Sequence, residues 1–338
     1  MPLFDTYMIV DWSASSSPGV GRDTVWIGLV ERGARRSRAQ NPPTRVQGTA
    51  EIVRILREQK ERGRRVLVGF DFAFGYPQGF AKALGLKGKA KPWRRIWDAI
   101  GERFQDKPDN SNNRFDVAAE LNQQVGTPEM PGPFWGRPHH RADLTSISMK
   151  SLTYPFPAGK GAALERFRRT EEILREAGWN NIQEVWKLYT AGSVGGQTIT
   201  GVPVVRALRD SPDFAGHIQV WPFETGFTDR PGGASGGGGE GRRPYILLAE
   251  IWHGFLRPLD MLEGEHRDER QVLGLARLCE KLDNAGRLGR LFDTPAGMSP
   301  EQARICVEEE GAILGADPEF LAERPPKRKA PLPYPFFS

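Results

Sequence analysis

Four acidic residues in this chain stand where a carboxylate needs a reason to be. Asp11 ends the apolar run "YMIVD", Asp71 ends "VLVGFD", Glu250 ends "YILLAE", and Asp268 opens "DERQVLGLARLCEKLD". A carboxylate at the end of a buried segment is costly without a partner. Carboxylates that converge raise one another's pKa, so a stable cluster implies a shared proton or a divalent cation. Hard oxygen donors suit Mg²⁺ or Mn²⁺. Two such ions about 3.5–4 Å apart can activate water and stabilise the leaving oxygen in phosphodiester cleavage. If Asp11 and Asp71 lay more than ~8 Å apart, they could not bridge ions at that spacing.

Each acid also has an ordinary structural use. Asp11 can bond the amides of Ser13 to Ser17, and Asp71 can cap the turn at "FGYP". Asp268 can serve as a first-turn acid facing the helix dipole, and Glu250 can pair with Arg257 or another nearby base. What favours a joint role is their arrangement along the chain.

The elements that must position them can be read from periodicity. Tyr7 to Trp12 alternates as a strand, with Tyr7, Ile9 and Asp11 on one face and Met8, Val10 and Trp12 on the other. "SASSSPGVGRD" is turn chemistry, "TVWIGLVE" returns, and a third strand is expected around Arg36 to Gln40. Thr49 can cap a helix whose stripe is Ile52, Val53 and Leu56. "VLVGF" is apolar throughout, as a strand covered on both faces should be. If the strands ending in Asp11 and Asp71 are neighbours, their carboxylates meet at one end of the sheet. "HIQVWPFE" and "YILLAEIW" are later strand candidates. The helix from Asp268 carries Val272, Leu275, Ala276, Cys279 and Leu282 as a stripe that would pack on that sheet. A last helix is expected over about Ser299 to Gly315. "TAGSVGGQTITG" reads as a mobile loop, the seven glycines of "GGASGGGGEG" as a flexible one, and "ERPPKRKAPLPYPFFS" as a loose basic tail.

This order of elements resembles the ribonuclease H-like fold. More narrowly, "FDFAFGYP", "AEIWHGFL" and "RDERQVLGLARL" resemble an uncharacterised family of predicted nucleases with that fold, over about residues 5–80 and 215–285. The resemblance implies an α/β architecture: a ribonuclease H-like mixed sheet flanked by helices, with a large, mostly helical insertion. The expected division is a discontinuous core of residues 1–77 and 215–315, an insertion over 78–214 and a tail over 316–338. It also implies Asp11, Asp71, Glu250 and Asp268 as the catalytic and metal-binding set, with Mg²⁺ or Mn²⁺, in a nuclease-like hydrolase. Lys187 and Gln197 are expected to face the substrate.

Actin-like ATPases and sugar kinases share such a sheet, and the serine turn would suit them too. Hydroxyls of Ser13 and Ser15 and the backbone amides beside them are phosphate donors. No second phosphate hairpin follows, and no Gly-Lys-Ser/Thr end is present. A fold kept without catalysis, as a binding protein, is the third reading.

The expected partners are nucleic acid or a phosphorylated small molecule, with no membrane. Lys82, Lys87, Lys89, Lys91, Arg94 and Arg95 run with Trp93 and Trp97, a pattern that can bind phosphates and stack bases. The same pattern also describes a solvated helix face with its tryptophans in the core. The chain has 338 residues, 38% hydrophobic and 26% charged, which is a globular composition. Its 47 basic and 42 acidic residues leave +5, compatible with a polyanion but not diagnostic of one. Cys279 and Cys306 cannot make a disulfide framework and read as core residues. His139 and His140 point apart, and neither they nor His253 and His266 fall at a zinc spacing with the cysteines. Without a signal peptide or an apolar run of ~18 residues, a soluble cytoplasmic protein is expected.

Overall fold

Strand β1 (Thr6–Asp11) starts the molecule with two buried faces: Tyr7 and Ile9 on one, Met8 and Val10 on the other. The computed structural model describes residues 1–34, 37–127, 130–159, 161–232, 243–257, 260 and 264–323. β1 pairs antiparallel with β2 (Trp26–Glu31), and β2 with the edge strand β3 (Arg38–Gln40). Helix α1 (Arg45–Glu61) crosses back, and β4 (Arg65–Phe70) joins the other side of β1 in parallel.

Next come α2 (Phe80–Ala83), α3 (Pro92–Arg103) and α4 (Arg114–Val125). A small hairpin of β5 (Phe156–Ala158) and β6 (Ala162–Leu164) follows, then α5 (Arg169–Glu176) and α6 (Val194–Asp210). Strands β7 (Ile218–Val220) and β8 (Tyr245–Glu250) complete the main sheet, in the order β3-β2-β1-β4-β8-β7. α7 (Arg267–Asn284), α8 (Pro300–Ile305) and α9 (Pro318–Ala322) end the described chain. The result is a mixed α/β fold with one six-stranded mixed sheet flanked by helices.

Alternation along the strands separates two apolar layers. Tyr7, Ile9, Leu67, Leu247 and Ile251 pack with Val272, Leu275, Ala276, Cys279 and Leu282 of α7. Met8, Val10, Val68, Phe70 and Leu248 pack with Ile52 and Leu56 of α1, Trp97 of α3 and Val205 of α6. Within residues 73–199 a third cluster gathers Tyr76, Phe80, Phe134 and Trp186. Both cysteines are buried thiols outside any disulfide. Among the described residues no helix is long and apolar enough to cross a membrane.

Four elements differ from the sequence-based expectation. α1 starts a turn early, because Thr44 rather than Thr49 caps it, accepting from the Gln47 amide. The glycine-rich stretch expected as a mobile loop is the first half of α6. Its glycines permit close approach: a Cβ on Gly195 would lie 2.3 Å from the Val185 carbonyl oxygen. The last helix breaks after Ile305 into a π-helical turn, Cys306–Glu310, ended by Gly311 at φ 73°. That turn buries Glu309 and Glu310, whose carboxylates accept from the amides of Ala81, Gln78 and Arg169. The expected tail is helical where it begins, since α9 buries Phe320 and Leu321. The glycine loop at 233–242, Arg36 and residues 324–338 lie outside the described residues.

Candidate metal centre

The register of two parallel strands builds the site. Val10 stands opposite Phe70, and the Asp71 amide donates to the Val10 carbonyl at 3.3 Å. Asp11 and Asp71 therefore leave the same edge of the sheet side by side, on the face covered by α7. The backbone N–H of Trp12 donates to Asp71 Oδ1 at 2.7 Å and orients that carboxylate.

Burial and the neighbouring Asp71 push the Asp11 carboxyl well above the usual carboxylate range. Burial also raises Asp71, to about 6, while the Trp12 amide and a hydrogen bond from Asp11 hold it down. Burial and mutual repulsion thus favour a proton shared between the two carboxyls, in a hydrogen bond from Asp11 to Asp71, over two ionised carboxylates. Asp268 adds negative field to both acids.

A histidine completes the group. His253 opens a single 3₁₀ turn, His253–Phe255, just past β8, so it stands at the same end of the sheet. Its Nδ1 is 3.6 Å from Asp71 Oδ2, and one ligand atom each from Asp11, Asp71 and His253 lie within 4.8 Å of one another. Burial and the charge of Arg267 lower the imidazole to about 4, so it is neutral at pH 7. Neither ring nitrogen forms a hydrogen bond among the described residues, and Nε2 is fully buried. A shared proton beside a free imidazole lone pair is a donor set that can exchange the proton for a cation.

The other two expected acids do not join it. Glu250 stands opposite Phe70 rather than Asp71, one residue out of phase, so its side chain takes the opposite face. There it is closed into an ion pair with the fully buried Arg168, Nη2 to Oε1 at 2.6 Å and Nη1 to Oε2 at 2.8 Å. Glu250 Oε2 also accepts from the Phe74 amide at 3.0 Å. Asp268 does lie on the α7 face, but its Oδ2 accepts from the Asp23 amide at 2.8 Å and steadies the turn before β2. It acts on the pair through its charge and is not one of the three grouped ligands.

The expected substrate contacts divide similarly. Ser13 Oγ donates to the Asp23 carbonyl and accepts from the Ser15 amide, while Ser15 Oγ donates to the Ser17 carbonyl. Both hydroxyls thus serve their own turn. Lys187 Nζ is held by the Ala191 carbonyl at 2.6 Å and by Gln183. Gln197, in the first turn of α6, is tied to the residue that orients Asp71, its Nε2 donating to the Trp12 carbonyl at 2.7 Å. Trp93 and Trp97 are buried, Trp93 stacked on Phe223 at 4.7 Å, which leaves neither free to stack a base. Of the basic residues with them, Arg94 is paired with Asp98 and Asp210, and Arg95 is bonded to the Leu86 carbonyl.

His253 is the member that sequence reasoning passed over. Cysteine spacing was the wrong reference for it. The usable signal is its place three residues past Glu250, in the loop leaving the strand beside the one that ends in Asp71. No family model, curated protein or solved structure matches this chain.

Proposed function

We propose that this chain is a divalent-metal-dependent phosphodiester hydrolase of nuclease type, built on a ribonuclease H-like sheet. The observation that carries the proposal is the convergence of Asp11, Asp71 and His253 within 4.8 Å at one end of the sheet. The order β3-β2-β1-β4, with β1 antiparallel to β2 and parallel to β4, supports the fold assignment, and β8 and β7 extend that layout.

The donor set fits a cation. Two carboxylate oxygens and one imidazole nitrogen suit Mn²⁺ better than Mg²⁺, which prefers oxygen and retained water. With Glu250 committed to Arg168, three ligands suit one ion rather than the expected pair. A bound divalent ion would supply Lewis-acid polarisation of a phosphoryl oxygen and a more acidic water. The protein's own residues prepare for this. The raised Asp11 carboxyl must give up any shared proton to a cation, the Trp12 N–H fixes Asp71 Oδ1, and Gln197 holds the Trp12 carbonyl. The phosphotransferase alternative loses support because the hydroxyls of Ser13 and Ser15 turn into their own loop.

The test is cleavage of DNA, RNA and bis(p-nitrophenyl) phosphate with Mn²⁺ or Mg²⁺. Wild type should cleave at least one of them only with metal. Asp11→Asn and Asp71→Asn should abolish cleavage with circular dichroism unchanged. Folded variants that keep full activity would overturn the assignment.

A further inference from the structure

Arg114 opens α4, and only 7% of it is exposed. Its Nη1 donates to Ser16 Oγ at 2.8 Å and to Asn112 Oδ1 at 3.1 Å, and its Cζ lies 4.2 Å from the centroid of the Phe115 ring. Nε is fully buried without an acceptor. Nη2 makes no hydrogen bond among the described residues, yet it is not among the atoms sealed from solvent. No described carboxylate forms an ion pair with Arg114.

The next guanidinium does not share this state. Arg45 gives Nε and Nη2 to Asp106, Nη1 to the carbonyls of Ser13 and Ser15, and Nη2 also to the Asn110 carbonyl. Two buried cations therefore stand with one carboxylate between them. Burial and the charge of Arg45 lower Arg114 to about 10, so it remains charged at neutral pH. A buried charge without a counter-charge is strongly unfavourable and is relieved by an anion that can reach it.

Three elements meet at this guanidinium. A Cβ on Gly196, in the first turn of α6, would lie 3.6 Å from Arg114 Nε and 3.5 Å from Ala14 Cβ. The residue after Gly196 is Gln197, which holds the Trp12 carbonyl, and the Trp12 amide holds Asp71. The amides of Ala14 and Ser16 make no hydrogen bond among the described residues. The planar guanidinium, the Ser16 hydroxyl and these amides are the donors that phosphate oxygens take.

We propose that Arg114, with Ser16, anchors a phosphate group of the substrate beside the Asp11–Asp71–His253 centre. That the phosphate belongs to a substrate rests on the hydrolase reading, whereas phosphate binding at Arg114 does not. A flanking diester of a nucleic acid and a terminal phosphate of a small molecule both present non-bridging phosphoryl oxygens, two with one charge in the diester and three with up to two charges in the terminal group, so both probes are needed.

The experiment measures melting of the metal-free protein with inorganic phosphate or dimethyl phosphate, against chloride at equal ionic strength. Wild type should be stabilised by at least one of them. Inorganic phosphate stands for a terminal phosphate and dimethyl phosphate for a diester, so the better probe distinguishes the two. Arg114→Gln should weaken that binding roughly 10- to 100-fold, the scale of a charged hydrogen bond. Because Arg114 is buried, the exposed Ser16→Asp is the second variant. Its carboxylate should raise the melting temperature without added anion and remove the phosphate-induced shift, while Ser16→Ala should retain a shift. Absence of any shift in wild type, or a full shift in Ser16→Asp, would overturn the anchor. Metal-dependent diester cleavage with no shift that Ser16→Asp removes would sink the anchor and leave the hydrolase reading standing. A shift lost in Ser16→Asp without any metal-dependent cleavage would do the reverse.

Discussion

The backbone N–H of Trp12 donates to Asp71 Oδ1 at 2.7 Å, so the residue that follows one acid orients the other. This clamp holds the two carboxyls close enough to share a proton. Binding of Mn²⁺ should therefore release protons, and more of them as the pH falls toward 6, because the ligands must be ionised. Calorimetry in buffers of different ionisation enthalpy measures it. Release should disappear in Asp11→Asn.

The stability of the metal-free protein should carry two opposed pH slopes. Asp71 is raised from 3.8 to about 6, so its stabilisation is complete below pH ~4 and is lost as pH rises toward 6. His253 is lowered from 6.5 to about 4, so its stabilisation is present above pH ~6.5 and is lost as pH falls toward 4. Each is worth roughly 3 kcal/mol at most. Urea melts from pH 4 to 7 should show Asp71→Asn gaining stability with rising pH relative to wild type. His253→Gln should instead lose stability relative to wild type as pH rises.

Replacing the imidazole should also change ion preference. His253→Gln should lower Mn²⁺ affinity by about 10-fold or more, the scale on which altered ligand shells weaken metal sites. Mg²⁺ affinity should fall less, since Mg²⁺ gains less from nitrogen. Equal losses for the two ions in titration calorimetry would remove His253 from the ligand set.

Glu250 should prove structural. Glu250→Gln leaves Arg168 with Glu171 but removes its bidentate partner, a change worth about 3 kcal/mol for a buried pair. Denaturant unfolding should show this loss. The Mn²⁺ affinity of the folded variant should stay within a factor of ~2 of wild type, well short of what a lost ligand produces.

Gly201 of α6 faces the ring of Phe72, and a Cβ there would fall 2.3 Å from its Cζ. Phe72 is buried against Trp12, Phe70 and Phe74, so the ring has little room to yield. Gly201→Ala should destabilise by about 1–3 kcal/mol, overpacking exceeding the gain in helix propensity. Thermal unfolding checks it, and a stabilised variant would show that the helix can shift.

Much of the fold was legible because it rests on local periodicity. Tyr7, Ile9 and Asp11 share a face, as the alternation of β1 requires, and the stripe Val272, Leu275, Ala276, Cys279 and Leu282 is buried as its helical spacing requires. α6 was not legible, because glycine lowers helix propensity locally while the space against Val185 and Phe72 exists only after folding. Trp93 and Trp97 show the same limit: their spacing permits a stacking surface or a core, and only packing on Phe223 selects the core.

From the sequence alone came two strands that each end in an aspartate, and hence the candidates Asp11 and Asp71. Their meeting, the exclusion of Glu250 and the arrival of His253 belong to the tertiary structure. Strand order and register are set by long-range pairing, and a shift of one residue sends a side chain through to the other face. Asp11 and Asp71 fall in phase across β1 and β4, while Glu250 on β8 falls one residue short and turns toward Arg168. His253 enters from a turn that follows β8 and packs on α7, a long-range contact that lies outside any local pattern.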